Sequence, residues 1–377
     1  MHAPIGNPPA RRPVAPVHIV GAAATAFLPE HDAMPDELVF AAVHQALREA
    51  GLRQQDLGLS VTASMDVLDA RSISSGLTNA AAGGYLRDAF RIEGDAGLAV
   101  IAAAEAVASG DVEVAVAVGV HNPETTGTTR DRQAFLQQIS NLAFEPHVDR
   151  PVGMTATATY ALQAAHHVAT TEADAESLAR LAAAEISRGS GRARAVRGAP
   201  ATAADVLASA PVSWPLHELM LPAESTGAVA IVLASPARAG RCLGRDARIT
   251  GLGHATGRYT WAGDWISDPA APTRRAAADA LALAGPGDGA VVAELSAPTP
   301  ALHAAYVDAL GCADAVVNAS GGVLSNFPGL ANGALRLLEV LDQLDGAAVG
   351  ARGLSHSVDS ITGLVSQDVS VLVVEAA

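Results

Sequence analysis

The chain has 377 residues, half of them hydrophobic and only 3% aromatic, with a formal net charge of −15. That length holds two domains of common size or one large fused unit, with a core filled by alanine, valine and leucine. The acidic balance excludes a nucleic-acid surface, which needs a basic stripe, and two cysteines without CxxC or Cys/His spacing exclude a disulfide framework and a zinc site, so the chain reads as cytoplasmic and metal-free.

Residues 1–16 are Pro-rich and lack an apolar signal core, so a flexible tail is expected there. Val17–Ala24 is a β-branched run ending in small residues, a buried strand. Asp36–Ala50 is a helix with Leu38, Ala42, Ala46 and Leu47 on one face and Gly51 as its stop. Asp56–Ala63 leads into a second strand. Leu98–Ser109 is a helix apolar on nearly every face, and Val112–Val120 is the strand after it.

The same order returns about 230 residues later. Ala247–Gly253 echoes the first strand, Thr273–Ala284 the first helix and Gly289–Leu295 the second strand. Gly333–Leu344 with a strand near Val349–Leu354 echoes the third unit. Duplication of a βαβ-rich unit is the simplest account. The first half is expected over 17–240 and the second over 241–377. Between them, about 122–212 reads as an inserted lid or pocket wall. Its helices are Val152–His167 and Glu172–Arg188, followed by a basic loop at Gly189–Ala199 and a short helix at Ala203–Leu207. Glu224–Leu233 then turns into an apolar strand that closes the first half. No apolar stretch reaches the ~18 residues of a membrane span.

Three segments carry a family likeness. Ala106–Gly119 (AVASGDVEVAVAVG) resembles a helix-strand motif of the thiolase superfamily. Ser213–Leu233 resembles its P-L-(x)6-P-x-S-D-G-A segment. Asn318–Leu344 (NASGGVLSNFPGLANGALRLLEVLDQL) resembles N-x-S-G-G-x-x-x-G-H-P-x-G-A-T-G and the helix behind it, and is the most specific of the three. The chain thus resembles sterol-carrier-protein-type thiolases and their thiolase-like lipid-transfer relatives over roughly 15–375. The resemblance implies an α/β thiolase fold, two duplicated halves in a five-layered αβαβα sandwich. It also implies a dimer, no tightly bound cofactor, and a CoA thioester as ligand.

The chemistry departs from that frame. A thiolase needs a thiolate at a helix N-terminus, a histidine to activate it and a second base. At the nucleophile turn this chain has Gly94-Asp95-Ala96, and no Cys, Ser or Thr stands between Asp88 and Ser109. The family's Gly-His-Pro is Asn326-Phe327-Pro328, and its Asn-Glu-Ala-Phe is Leu295-Ser296-Ala297-Pro298. The C-terminal catalytic loop is Ser355–Gly363, with His356 but no cysteine. Cys242 lies in a polar connector, and Cys312 reads as a buried apolar residue.

Asp95 is most simply a helix N-cap, with a role on a ligand as the alternative. His356 and Asp359 are the candidate catalytic residues. Asp95, Ala96, Ser296, Asn318, Gly321, Gly322, Phe327 and Ser360 are the candidate pocket residues. Arg188, Arg192, Arg194 and Arg197 are candidates for the CoA phosphates, or a solvated linker. Tyr259, Trp261 and Trp265 form a packing cluster or a pocket lip. Three functions follow. The chain is the supporting subunit of a hetero-oligomeric acyltransferase, beside a Cys-bearing thiolase-like subunit. Alternatively it is a cysteine-independent retro-aldolase or condensing enzyme, as in thiolase-like proteins that work with a zinc-ribbon/OB-fold partner. The third is an acyl-CoA or lipid-binding protein.

Overall fold

Short Val/Ala runs and Ala/Leu-rich helices alternate twice along the chain, and the computed structural model builds one sheet from them. It describes residues 16–66, 68, 73, 75–123, 129–257, 265–359 and 368–377. The first half runs β1 (Val17–Ala24), α1 (Pro35–Ala50), β2 (Leu59–Ala63), α2 (Ser75–Ala81), β3 (Asp88–Ile92), α3 (Ala96–Ala108) and β4 (Val114–His121). The insertion supplies α4 (Thr129–Leu142), α5 (Ala156–Thr170), α6 (Ala175–Gly189), α7 (Ala203–Ala208) and a small hairpin, β5 (Pro211–Ser213) with β6 (Leu216–His217). β7 (Gly227–Ala234) and α8 (Pro236–Ala239) complete this half. The second half runs β8 (Ala247–Thr256), α9 (Ala271–Ala284), β9 (Val292–Glu294), α10 (Pro300–Leu310), β10 (Val316–Val317), α11 (Gly322–Ser325), α12 (Asn332–Leu344), β11 (Arg352–Val358) and β12 (Asp368–Ala376).

The duplication is visible in the strand order, β10-β9-β11-β12-β8-β1-β7-β4-β2-β3. Starting from either outer edge, each half places its strands third, second, fourth, fifth, first. The pairings match as well. β2 is parallel to β3 and β4 as β9 is to β10 and β11, and the last strand of each half is antiparallel to both neighbours. The halves join where β1 pairs antiparallel with β8, Val17 opposite Ile249.

Five layers follow from where the apolar side chains go. α3 is apolar on nearly every face, Glu105 near its C-terminal end being its one charged and exposed residue, which suits a helix buried along most of its length. With α12 it forms the middle layer, packed between Val61, Ala117 and Ile231 of one half-sheet and Leu252, Leu372 and Val374 of the other. α1 covers the outer face of the first half-sheet through Val39, Ala42 and Ala46. α9, α10 and the inserted helices α5, α6 and α7 cover the outer face of the second. The α1 ends are locally encoded: Pro35, Asp36 and Glu37 suit its positive end, and Gly51 ends it at φ 67°. β11 begins at Arg352, later than its expected start, because a left-handed Gly350 (φ 85°) still turns the chain before it.

Among the described residues, no helix is long and apolar enough to cross a membrane.

Candidate functional site

The N-termini of the two central helices meet at one carboxylate. Asp95 is extended (φ −69°, ψ 145°) and caps α3. Its Oδ1 accepts from the Gly97 amide at 2.8 Å and the Ser357 hydroxyl at 2.6 Å. Its Oδ2 accepts from the Gly333 amide, in the first turn of α12, at 2.9 Å. Two helix N-termini therefore converge on a single carboxyl group.

Glycine is required at both contacts. A Cβ on Gly333 would lie 2.0 Å from Asp95 Oδ1, and one on Gly97 would lie 2.0 Å from Ser370 Oγ. Burial raises the Asp95 carboxyl to a pKa of about 7; the hydrogen bonds from Ser357, Gly97 and Gly333 oppose that rise, and the nearby Asp359 charge adds to it. Such a group holds or releases a proton near neutrality.

A polar row continues from Asp95 across three strands. The Ser357 hydroxyl on β11 is 2.7 Å from that of Ser370 on β12. Ser370 faces His254 of β8 in the register. His254 Nε2 is 2.8 Å from Asp368 Oδ1, which also accepts from the Thr256 hydroxyl at 3.2 Å. The hydrogen bond from His254 is the main cause that holds the Asp368 carboxyl below its usual range. Asp95, Leu98, His254, Ser357, Asp368, Val369 and Ser370 line one small cleft, open to the surface, whose enclosed space of about 10 Å³ is room for one water.

His356 takes the other face of β11, opposite Ser357, because strand side chains alternate. It is fully buried, with Nε2 3.1 Å from the Thr273 hydroxyl and its ring edge-on to Tyr306. Burial pushes its pKa down to about 3, so it stays neutral. His356, expected as the catalytic histidine, is thus turned away from Asp95 into the second-half core. Asp359, 7% exposed, stays at the turn, its Oδ2 4.0 Å from where a Gly94 Cβ would stand.

The remaining expected residues divide. Ala96 is buried against Gly119 beside the cap. Ser296 is buried and accepts from Asn332 Nδ2 at 2.9 Å. Phe327 is buried, its amide bonded to the Ala223 carbonyl. Asn318, with φ 48°, accepts from the Leu295 amide and donates to Glu185 of α6 at 2.7 Å. Gly321 and Gly322 have φ 88° and 59° and admit no Cβ, because Ser325, Gly189 and Asn318 press on them. The Asn318–Gly322 loop thus locks the insertion onto the second half. Ser360, Tyr259 and Trp261 lie outside the described residues; Trp265 packs with Phe144 and Met154.

The four arginines do not form one cationic face. Arg194 pairs with Glu339 at 3.1 Å and Asp342 at 2.7 Å. Arg197 donates to the Leu221 and Leu324 carbonyls, both at 2.9 Å, and burial lowers its pKa to about 10. Arg188 lies 3.7 Å from Glu185 with its head half-exposed, and Arg192 is exposed. His254, Ser370 and Asp368 were not anticipated. Their signal is a polar residue at every second position of otherwise apolar strands, His254 with Thr256 and Asp368 with Ser370. Among the described residues, no group of three or more His, Cys, Asp or Glu side chains is placed to hold a metal ion.

No protein-family model and no curated protein matches the chain. Solved structures do. A chain of the Ltp2-ChsH2(DUF35) aldolase aligns with a TM-score of 0.77 at 21% identity, over 97% of this chain and 98% of that one. The Bacillus anthracis acetyl-CoA acetyltransferase aligns with a TM-score of 0.71 at 16% identity, over 97% of this chain and all of the other. The protein has the thiolase fold over nearly its whole length.

Proposed function

We propose that this protein acts on acyl thioesters, CoA esters foremost, in carbon–carbon bond chemistry that forms no covalent acyl-enzyme. The observation that carries the reading is Asp95. A buried carboxylate stands where the family resemblance puts a thiolate, and Ala96 beside it offers no nucleophile. Neither cysteine substitutes for it: Cys312 is buried past the end of α10 with its thiol pushed up to about 11, and the Cys242 thiol is raised as well. Aldol cleavage or condensation of a hydroxyacyl thioester needs a base and a site for the enolate oxygen, and no acyl-enzyme. That an aldolase stands among the structural neighbours supports this choice. Of the basic segment, Arg188 and Arg192 retain solvent-facing charge and are the proposed contacts for the CoA phosphates.

A second reading, the supporting subunit of a Cys-bearing thiolase-like partner, is favoured by an exposed sheet edge. β3 is the outermost strand of the first half, and Phe90, Tyr85 and Leu86 are all exposed beside it. We assign this edge to subunit contact, with a second copy or a paralogous chain.

Native mass spectrometry of the protein from its own host, with acyl-CoA turnover measured on the same sample, tests both. A homodimer, or a complex with a small zinc-ribbon/OB-fold protein, that cleaves 3-hydroxyacyl-CoA supports cysteine-free chemistry here. A stoichiometric complex whose turnover depends on the partner's cysteine moves the chemistry to that partner.

A further inference from the structure

We propose that His254, oriented by Asp368, is the group that transfers the substrate proton at the solvent-facing mouth of this cleft, a deepening that rests on the acyl-thioester reading above. Three observations converge. First, His254 is the only imidazole among the described residues lining the cleft that Asp95 caps. Second, its Nε2 is held 2.8 Å from Asp368 Oδ1. A carboxylate on one ring nitrogen fixes the tautomer: Nε2 carries the hydrogen and donates it, and Nδ1 keeps the lone pair. Third, its side chain is 27% exposed, whereas His356, the other histidine of this half-sheet, is fully buried. An imidazole that is both anchored and accessible suits proton transfer.

The surroundings are consistent with function rather than packing. The facing layer is otherwise Leu252, Leu372 and Val374, and its polarity starts where the strands reach Asp95. A cross-strand pair needed only for sheet stability has no reason to abut a buried carboxylate and two linked serines.

The chemistry balances without an external oxidant. In cleavage, His254 Nδ1 takes the β-hydroxyl proton of a 3-hydroxyacyl thioester. The O–H electron pair forms the new carbonyl, and the Cα–Cβ pair moves to Cα as the thioester enolate. The imidazolium then returns the proton to Cα, releasing an acyl thioester. In condensation, Nδ1 removes the Cα proton first. His254 is thus the proposed catalytic residue, and Asp368 its positioning residue.

The reverse half-step gives the test. The full chain, with any partner it retains, is incubated in D2O with acetyl-, butanoyl- and octanoyl-CoA. Exchange at Cα is followed by NMR, and binding by calorimetry. Wild-type protein is expected to bind at least one ester and exchange its α-protons. His254→Ala and His254→Gln are expected to lose 100-fold or more of the exchange rate, the lower end of the usual general-base contribution of about 10²–10⁴, with binding within threefold. Added imidazole should restore part of the exchange in His254→Ala, which a structural role would not allow. Asp368→Asn should lose about tenfold, recovered in Asp368→Glu. Binding with unchanged exchange in both His254 variants overturns the proposal and leaves the acyl-thioester reading standing, as does binding without any wild-type exchange. Failure of the wild type to bind every ester overturns that reading and the proposal with it.

Discussion

Gly333 and Gly97 face the Asp95 cap so closely that a methyl group at either position must displace the carboxylate or the serines beside it. Gly333→Ala is therefore expected to destabilise the fold by about 1–3 kcal/mol, the range for overpacking a tight core, as read by urea unfolding. An unchanged midpoint would show that α3 and α12 are looser than described. Asp95 and His356 also make opposite pH contributions. The folded-state pKa of Asp95 lies at about 7, above its ordinary 3.8. Folded protein thus holds that proton more tightly, and the stabilisation is full below 3.8 and lost as pH rises to about 7. His356 falls from 6.5 to about 3, so its contribution is present above 6.5 and lost as pH falls toward 3. Any advantage of wild type over Asp95→Asn should narrow between pH 4 and 7, as measured by thermal melts. A gap that widens with pH would contradict the burial of this carboxyl. At this scale the Asp95 cap is legible in the sequence as an Asp before an apolar run. The face taken by His356 is not, because a one-residue change of parity exchanges it with Ser357, and only the register decides.

At the scale of elements, α12 is fixed by a buried ion pair as well as by its apolar face. Arg336 Nη1 lies 3.0 Å from Glu294 Oε2 of β9, with both residues essentially inaccessible. Ser320 and Gln343 complete the shell of Glu294. Removing one member of such a pair leaves the other charge buried, so Arg336→Met is expected to lose about 3–5 kcal/mol. Chemical denaturation checks this, and a loss under 1 kcal/mol would show the pair to be hydrated. Helix order and the double recurrence were legible because apolar periodicity and glycine stops are local signals. The Arg336–Glu294 pair was not, since nothing in either segment alone marks a charge for the interior. The role of the Asn318–Gly322 loop was half legible: its glycines stand out, but its partner Glu185 is more than a hundred residues earlier.

For the whole molecule, the exposed β3 edge and the converging helix ends define the account. Phe90→Lys places a charge on the outer strand, a device that blocks edge pairing. It is expected to shift any dimer built on this edge toward monomer in size-exclusion chromatography with light scattering. An unaltered mass would place the subunit contact elsewhere. The fold was legible from the Asn318–Leu344 segment and the repeated strand-helix order, because both are long patterns. The cleft was less so, because it is assembled from α3, β8, β11 and β12, and its row of His254, Ser370 and Ser357 exists only once three strands are in register. The measurement that tests the central claim most directly is cleavage of 3-hydroxyacyl-CoA by the host-purified protein and by its Cys242→Ser/Cys312→Ser variant, with intact mass recorded during turnover. The account predicts equal rates and no acyl adduct on the chain; loss of cleavage in the variant together with an acyl adduct on the wild type would contradict it.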